Sequence, residues 1–152
     1  MGLLKEGTKA PNFELVDSNG KLHKLAQYFG KRVILYFYPK DDTPGCTRQA
    51  CDFTQHKADF DDKNTVIIGI SADDSESHQK FEEKYNLQVI LLSDMAKEAC
   101  TAYGVLQWKE WMGKRSMGIA RTTYIIDEYG IIKKVFPKVN PEGHWELLLH
   151  SL

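Results

Sequence analysis

Three short apolar runs constrain this chain more than any other feature: Val33-Ile34-Leu35-Tyr36-Phe37-Tyr38, Val66-Ile67-Ile68-Gly69-Ile70 and Val89-Ile90-Leu91-Leu92. Each is rich in β-branched, aromatic or other large apolar residues and too short for a helix of its own. Each therefore reads as a strand covered on both faces. Helical spacing fills the intervals. Cys46, Ala50, Phe53, Lys57 and Phe60 recur on one stripe, as do Phe81 and Tyr85 after a Ser75 placed to cap their helix. Strand, helix, strand, helix, strand implies parallel pairing through right-handed crossovers.

The flanks have a different style. Residues 12–16 and 21–25 surround Asp17-Ser18-Asn19-Gly20, whose Asn-Gly pair suits a tight turn, so the chain opens on a β-hairpin. Near the other end, residues 122–126 and 131–136 surround Asp127-Glu128-Tyr129-Gly130, a second hairpin signal. A closing helix from about Glu142 carries Trp145, Leu148 and Leu149 on one face, and residues 96–103 form a further helical run. The expected architecture is α/β, a mixed central sheet flanked by helices with an N-terminal β-hairpin. No repeat, low-complexity stretch or linker interrupts residues 1–152, which are expected to fold as a single domain.

Charge and composition narrow the function. Twenty Lys and Arg against 21 Asp and Glu leave a formal charge of −1, without the basic excess of a nucleic-acid binder. The apolar run at Val33 is far short of the ~20 residues of a membrane span. The N-terminal residues are too polar and acidic for a targeting segment. Neither nucleic acid nor membrane is expected as a partner. The cysteines are three, Cys46, Cys51 and Cys100, too few for a disulfide scaffold, and a cytoplasmic location is the expectation.

The segment with chemistry in it follows the first apolar run: Tyr38-Pro39-Lys40-Asp41-Asp42-Thr43-Pro44-Gly45-Cys46-Thr47-Arg48-Gln49-Ala50-Cys51. Thr43 suits an N-cap and Pro44 the first helical position, where its missing N–H costs nothing. Cys46 then falls in the first turn, among N–H groups without intrahelical partners and at the positive end of the helix dipole, which favours a thiolate. The Thr43 hydroxyl is near enough in sequence to donate to that sulfur. A buried structural cysteine that happens to open a helix is the alternative, and local geometry leaves both readings open. On one regular helix, Cys46 and Cys51 would lie about 8.6 Å apart between Cα atoms. A disulfide needs less than ~7 Å. Either the pair never bridges, or it bridges once the first turns unwind; two small core residues would satisfy the same spacing.

Pro39-x-x-x-Thr43-x-x-Cys46 resembles the active-site signature of the peroxiredoxins, and Cys51 five residues on resembles the Q-type branch, also called bacterioferritin comigratory proteins. The likeness runs through the chain: residues 4–13 resemble the family's leader, residues 69–73 its second strand and loop, and Tyr103-Gly104-Val105 and residues 117–127 also fit. The resemblance implies a thioredoxin-like fold and thiol-dependent reduction of hydrogen peroxide and organic hydroperoxides. It implies that Cys46 is the peroxidatic cysteine and Cys51 the resolving one, joined as a redox disulfide that thioredoxin or a similar dithiol reduces. It further implies that Pro39 shields the pocket from water, Thr43 hydrogen-bonds thiolate and peroxide, and Arg121 is the distant active-site arginine. A guanidinium, permanently charged with fixed donors, suits that role. No metal or other cofactor is implied. Q-type relatives imply a monomer, with the exposed-looking Trp108 and Trp111 leaving room for a dimer.

Other features carry less. Cys100, on a helical run, reads as structural, and the Cys46–Cys51 spacing lacks partners for a zinc set. His56 and His144 read as a helix-surface residue and a helix start. Residues 108–115 mix aromatic and basic side chains but include Glu110, and read as a loop over the active site or an exposed apolar rim. Gly113-Lys114 lacks the remaining residues of a phosphate loop. A thioredoxin-like disulfide oxidoreductase is disfavoured because no Cys-x-x-Cys surrounds Cys46; a non-catalytic thioredoxin-fold binding module is the third reading.

Overall fold

The apolar runs do form the centre of a sheet. The computed structural model describes residues 2–152, so Met1 and the expected exposure of the Trp111 side chain lie outside the described residues. Three parallel strands, β3 (Arg32–Phe37), β4 (Thr65–Ser71) and β5 (Ile90–Ser93), pair in the order β5-β4-β3. The N-terminal hairpin, β1 (Glu14–Asp17) and β2 (Leu22–Lys24), extends this sheet beyond β5, with β1 antiparallel to it. On the other edge, β8 (Thr122–Ile126) runs antiparallel to β3 and pairs with β9 (Ile132–Phe136). The result is a seven-stranded mixed sheet, β2-β1-β5-β4-β3-β8-β9.

Alternation along β3 divides the core. Val33, Leu35 and Phe37 face one layer with Phe13, Leu25, Tyr103 and Tyr124. Ile34, Tyr36 and Tyr38 face the other with Cys46, Ala50, Phe53, Phe60, Phe81 and Leu148. All six residues of the run from Val33 to Tyr38 are buried, as period-2 pleating with helices on both sides requires. Onto the second layer pack α1 (Pro44–Gln55), α2 (Lys57–Asp61), α3 (Ser75–Tyr85) and α5 (His144–His150); α4 (Glu98–Ala102) covers the first with Ala99 and Cys100. Gly69, opposite Tyr36 on β4, makes room for that ring: a Cβ there would stand 2.6 Å from Tyr36 Cζ.

Several local expectations are corrected. The helix beginning near Cys46 does not run unbroken to Phe60; it breaks at His56, whose φ of −104° and ψ of 16° leave helical geometry. The N-cap of α3 is Asp74, one residue before the expected Ser75. Its carboxylate accepts from the Ser77 N–H, while the Ser75 hydroxyl donates to the Asp17 carbonyl. Residues 108–115 form no loop. They belong to a separate antiparallel ribbon, β6 (Leu106–Trp111) and β7 (Lys114–Ile119), turned by Met112 and Gly113 at positive φ. Trp108 is exposed on it, beneath the Arg115 guanidinium. Among the described residues no helix is long and apolar enough to cross a membrane.

Candidate active site

The chain leaves β3 at the end of its parallel pairing and turns into α1, placing the helix N-terminus at the carboxyl edge of the sheet, where open α/β sheets hold their sites. Pro44, Gly45 and Cys46 form the first turn, and the first backbone bond into the helix runs from the Thr47 N–H to the Thr43 carbonyl. Cys46 is 1% exposed and belongs to the second core layer with Tyr36, Tyr38 and Ala50. The first-turn N–H groups and the helix dipole favour negative charge at such a position.

Arg121, 75 residues away at the start of β8, completes the site. One guanidinium nitrogen donates to Cys46 Sγ at 3.3 Å and the other to Gln49 Oε1 at 2.8 Å. A planar fork presents both donors at once, which an ammonium does not. Gly45 permits the approach: a Cβ there would lie 3.0 Å from the nearer Arg121 nitrogen and 3.2 Å from Pro141. Gln49 had no signal of its own in the sequence, since a glutamine on an amphipathic helix reads as solvent-facing. It is buried, and its amide nitrogen has no hydrogen-bond partner among the described residues.

One side chain of the signature is placed differently from its expected contact. The Thr43 hydroxyl donates to the Lys40 carbonyl at 2.9 Å, not to Cys46, and makes no side-chain cap. A hydroxyl has one proton, and the turn offers it a backbone acceptor three residues back; its lone pairs remain available to another donor. Pro39 is exposed, directly after the last buried residue of the apolar run. Cys51 is half-buried on the same helix as Cys46, and both thiols are free. Burial, and secondarily the Asp52 carboxylate, push the Cys51 thiol above its ordinary range. Cys100 is fully buried in the other core layer, its N–H bonded to Asp94, and burial pushes its thiol strongly upward.

His56 and His144 both pack against aromatic rings, and His144 is the first residue of α5, as a helix start requires. His56, at the α1–α2 junction, stacks on Trp145 of α5 with centroids 3.4 Å apart. His144 is buried at the start of α5, 2.9 Å from the Thr123 hydroxyl and edge-on to Phe136. Burial, then the Arg121 charge, hold His144 down to about 4, so it folds as neutral imidazole. Unfolded histidine takes its proton near 6.5, so the unfolded state binds more protons between these values. The contribution of His144 to stability is thus complete above pH 6.5 and lost as pH falls towards 4, on the order of 3 kcal/mol. Thermal unfolding from pH 7 to 4 should show this loss, and His144→Asn should flatten it; an unchanged slope in the variant would assign the loss elsewhere.

A cysteine in the first turn of a helix, faced by an arginine on a thioredoxin-like sheet, defines a thiol protein of the thioredoxin fold. The AhpC/TSA family matches residues 7–135. The peroxiredoxin Bcp of Bacillus subtilis is 44% identical over 146 residues, 96% of this chain and 93% of the relative. A Coxiella burnetii protein assigned as a peroxiredoxin of the bcp type is 48% identical over 141 residues, 93% of each chain. The structure of the Xanthomonas campestris bacterioferritin comigratory protein, described for alkyl peroxide reduction, superimposes with a TM-score of 0.91 at 31% identity, covering 97% of this chain and 96% of that one. The chain belongs to the AhpC/TSA family, within its peroxiredoxins of the Bcp or Q type, and is a thiol peroxidase.

Proposed function

We propose that Cys46 is the peroxidatic cysteine and Cys51 its resolving partner, in a peroxidase for hydrogen peroxide and organic hydroperoxides recycled by a thioredoxin-type dithiol. The observation that carries this reading is the Arg121 guanidinium 3.3 Å from Cys46 Sγ, at the N-terminus of α1. Both features stabilise a sulfur anion, and the guanidinium also suits the negative charge that develops on the peroxide oxygens.

The Cys46 thiolate attacks one peroxide oxygen in line. An S–O bond forms, the O–O bond breaks, and the departing oxygen takes a proton to leave as water or alcohol, with sulfur oxidised to a sulfenic acid. Thr43, its own proton committed to Lys40, offers lone pairs to the peroxide O–H, and Pro39 flanks the approach. Cys51 cannot reach that sulfenic acid on an intact helix. Unwinding of the first turns brings the sulfurs together and also removes the burial that pushes the Cys51 thiol upward. The Cys51 thiolate then attacks Cys46 sulfur, the S–S bond forms, and the hydroxyl leaves as water after taking a proton. A second dithiol restores both thiols by exchange. Resolution competes with further oxidation of Cys46 to sulfinic acid, so the rate of unwinding sets the tolerance to excess peroxide.

Cys51→Ser separates the two half-reactions. It should react once with peroxide at the parental rate and stall as a sulfenic acid trappable by a 1,3-diketone probe, with multiple turnover against thioredoxin and its reductase lost. Undiminished cycling would give the resolving role to another thiol, Cys100 being the remaining one in the chain.

A further inference from the structure

The Cys46–Cys51 cycle just proposed requires α1 to open, and the loop that leads into α1 is held by α3. Asp41 is buried at the centre of this contact. One carboxylate oxygen accepts from the Tyr38 hydroxyl at 2.6 Å; the other accepts from His78 Nδ1 at 2.7 Å and the Ser77 hydroxyl at 2.8 Å. The far side of the His78 ring meets the Leu92 carbonyl, 3.1 Å from Nε2. Both ring nitrogens thus face acceptors. A neutral imidazole carries a single N–H and would leave one acceptor facing a lone pair, so the geometry selects an imidazolium paired with a carboxylate. The Asp41 N–H is tied in turn to the Asp73 carboxylate.

Asp42 adds a second tether. It stands at a φ of +57°, a conformation that side-chain-bearing residues rarely adopt, with its carboxylate on Lys84 Nζ at 2.8 Å and the Tyr85 hydroxyl at 2.6 Å. Thr43 and Pro44 follow at once. A cleft of about 390 Å³, lined by residues including Asp41, Asp42, Asp74, Ser77, Lys80 and Lys84, runs beside the contact, so the loop has room to leave it.

We propose that His78 is a positioning residue of the peroxidase: paired with Asp41, it holds the Tyr38–Thr43 loop and with it the first turn of α1, and so sets how often Cys46 becomes accessible to Cys51. Burial alone would lower the His78 pKa, but the Asp41 hydrogen bond and charge, the Leu92 carbonyl and the Asp73 charge outweigh it and raise it above 6.5. The other groups near the ring are Tyr38 on the strand side and Glu82 one turn along α3. A raised histidine contributes fully below its unfolded value and loses that contribution as pH rises through the folded one. The clamp therefore loosens with rising pH, from above 6.5.

Hydrogen exchange in a Cys46→Ser, Cys51→Ser background tests this without any cysteine chemistry. Adding His78→Asn, which keeps a donor near Nδ1 but no charge, should accelerate exchange of amides 45–50 on the order of tenfold at pH 6, with β3 and β4 amides unchanged. It should also abolish the rise in opening with pH, after correction for intrinsic exchange, that the parent background shows. In the protein with its cysteines, His78→Asn should speed disulfide formation by the same factor and lower the sulfinic fraction at excess peroxide. Unchanged α1 exchange, or acceleration shared equally by the sheet, would overturn the assignment. Failure of the peroxidase reading would appear separately, as a parent protein whose Cys46 forms no sulfenic acid, and the exchange result would still decide the clamp.

Discussion

Cys46→Ser should fold as the parent does and consume peroxide at background rate, a loss on the order of 10³-fold or more. The substitution exchanges one atom at a site buried among Tyr36, Tyr38, Ala50 and Phe53, so packing is nearly preserved. The hydroxyl keeps the Arg121 contact but does not ionise near neutral pH, and no other thiol is equivalently placed. Cys51 is half-buried with its thiol pushed upward by burial, and Cys100 is enclosed on the opposite side of the sheet. Peroxide loss coupled to reductant oxidation, read beside a thermal unfolding curve, checks both halves. Retained turnover in a folded variant would remove Cys46 from the chemistry.

Arg121→Ala should slow the first oxidation step by about 10²–10³-fold, the usual cost of removing one preorganised donor to developing negative charge. It should also destabilise the fold, because Gln49 Oε1 loses its donor while Gln49 stays buried, at a cost of about 1–3 kcal/mol. Arg121→Lys separates these effects. It restores the charge but not the fork that reaches Cys46 and Gln49 together, so it should recover part of the rate and leave Gln49 short of a partner. Stopped-flow oxidation of the reduced variants at fixed pH measures the step. An alanine variant within twofold of the parent would mean that the guanidinium orders the turn without acting on the reaction.

The parts of this fold that a sequence shows are those whose burial is periodic. Residues 33–38 are apolar at every position because helices cover both faces of β3, and that run leaves no competing reading. The ribbon β6–β7 was missed for the opposite reason. Its described residues from 107 to 117 are exposed on both faces, so no alternation marks them, and its Met112-Gly113 turn lacks the Asn-Gly signal. The shift of the α3 cap from Ser75 to Asp74 reflects two adjacent residues of equal suitability, decided by a contact between Ser75 and Asp17 across 58 residues.

At the site, the place of Cys46 in the first turn of a helix was legible from its own neighbourhood, because Thr-Pro-Gly-Cys is a helix start. Its chemistry was not, since a structural cysteine fits the same turn. Nor was Arg121: only the resemblance connected two residues 75 apart. Gln49 and Asp41 are polar residues whose burial depends on partners elsewhere in the chain, Arg121 and His78, and no local pattern announces that. For His78 a signal existed. It lies three residues before Phe81 and seven before Tyr85, on the stripe that faces the core, where a histidine requires partners.

The central claim is that Cys46 and Cys51, too far apart on an intact helix, become joined in turnover. Reduced protein treated with one equivalent of hydrogen peroxide, quenched with a thiol-blocking reagent and digested without reductant, measures this directly by mass spectrometry. The account predicts a product lighter by two hydrogens, with Cys46 and Cys51 disulfide-linked and Cys100 blocked as a free thiol. A disulfide involving Cys100, or a Cys46 sulfenic acid that persists with Cys51 free, would contradict it.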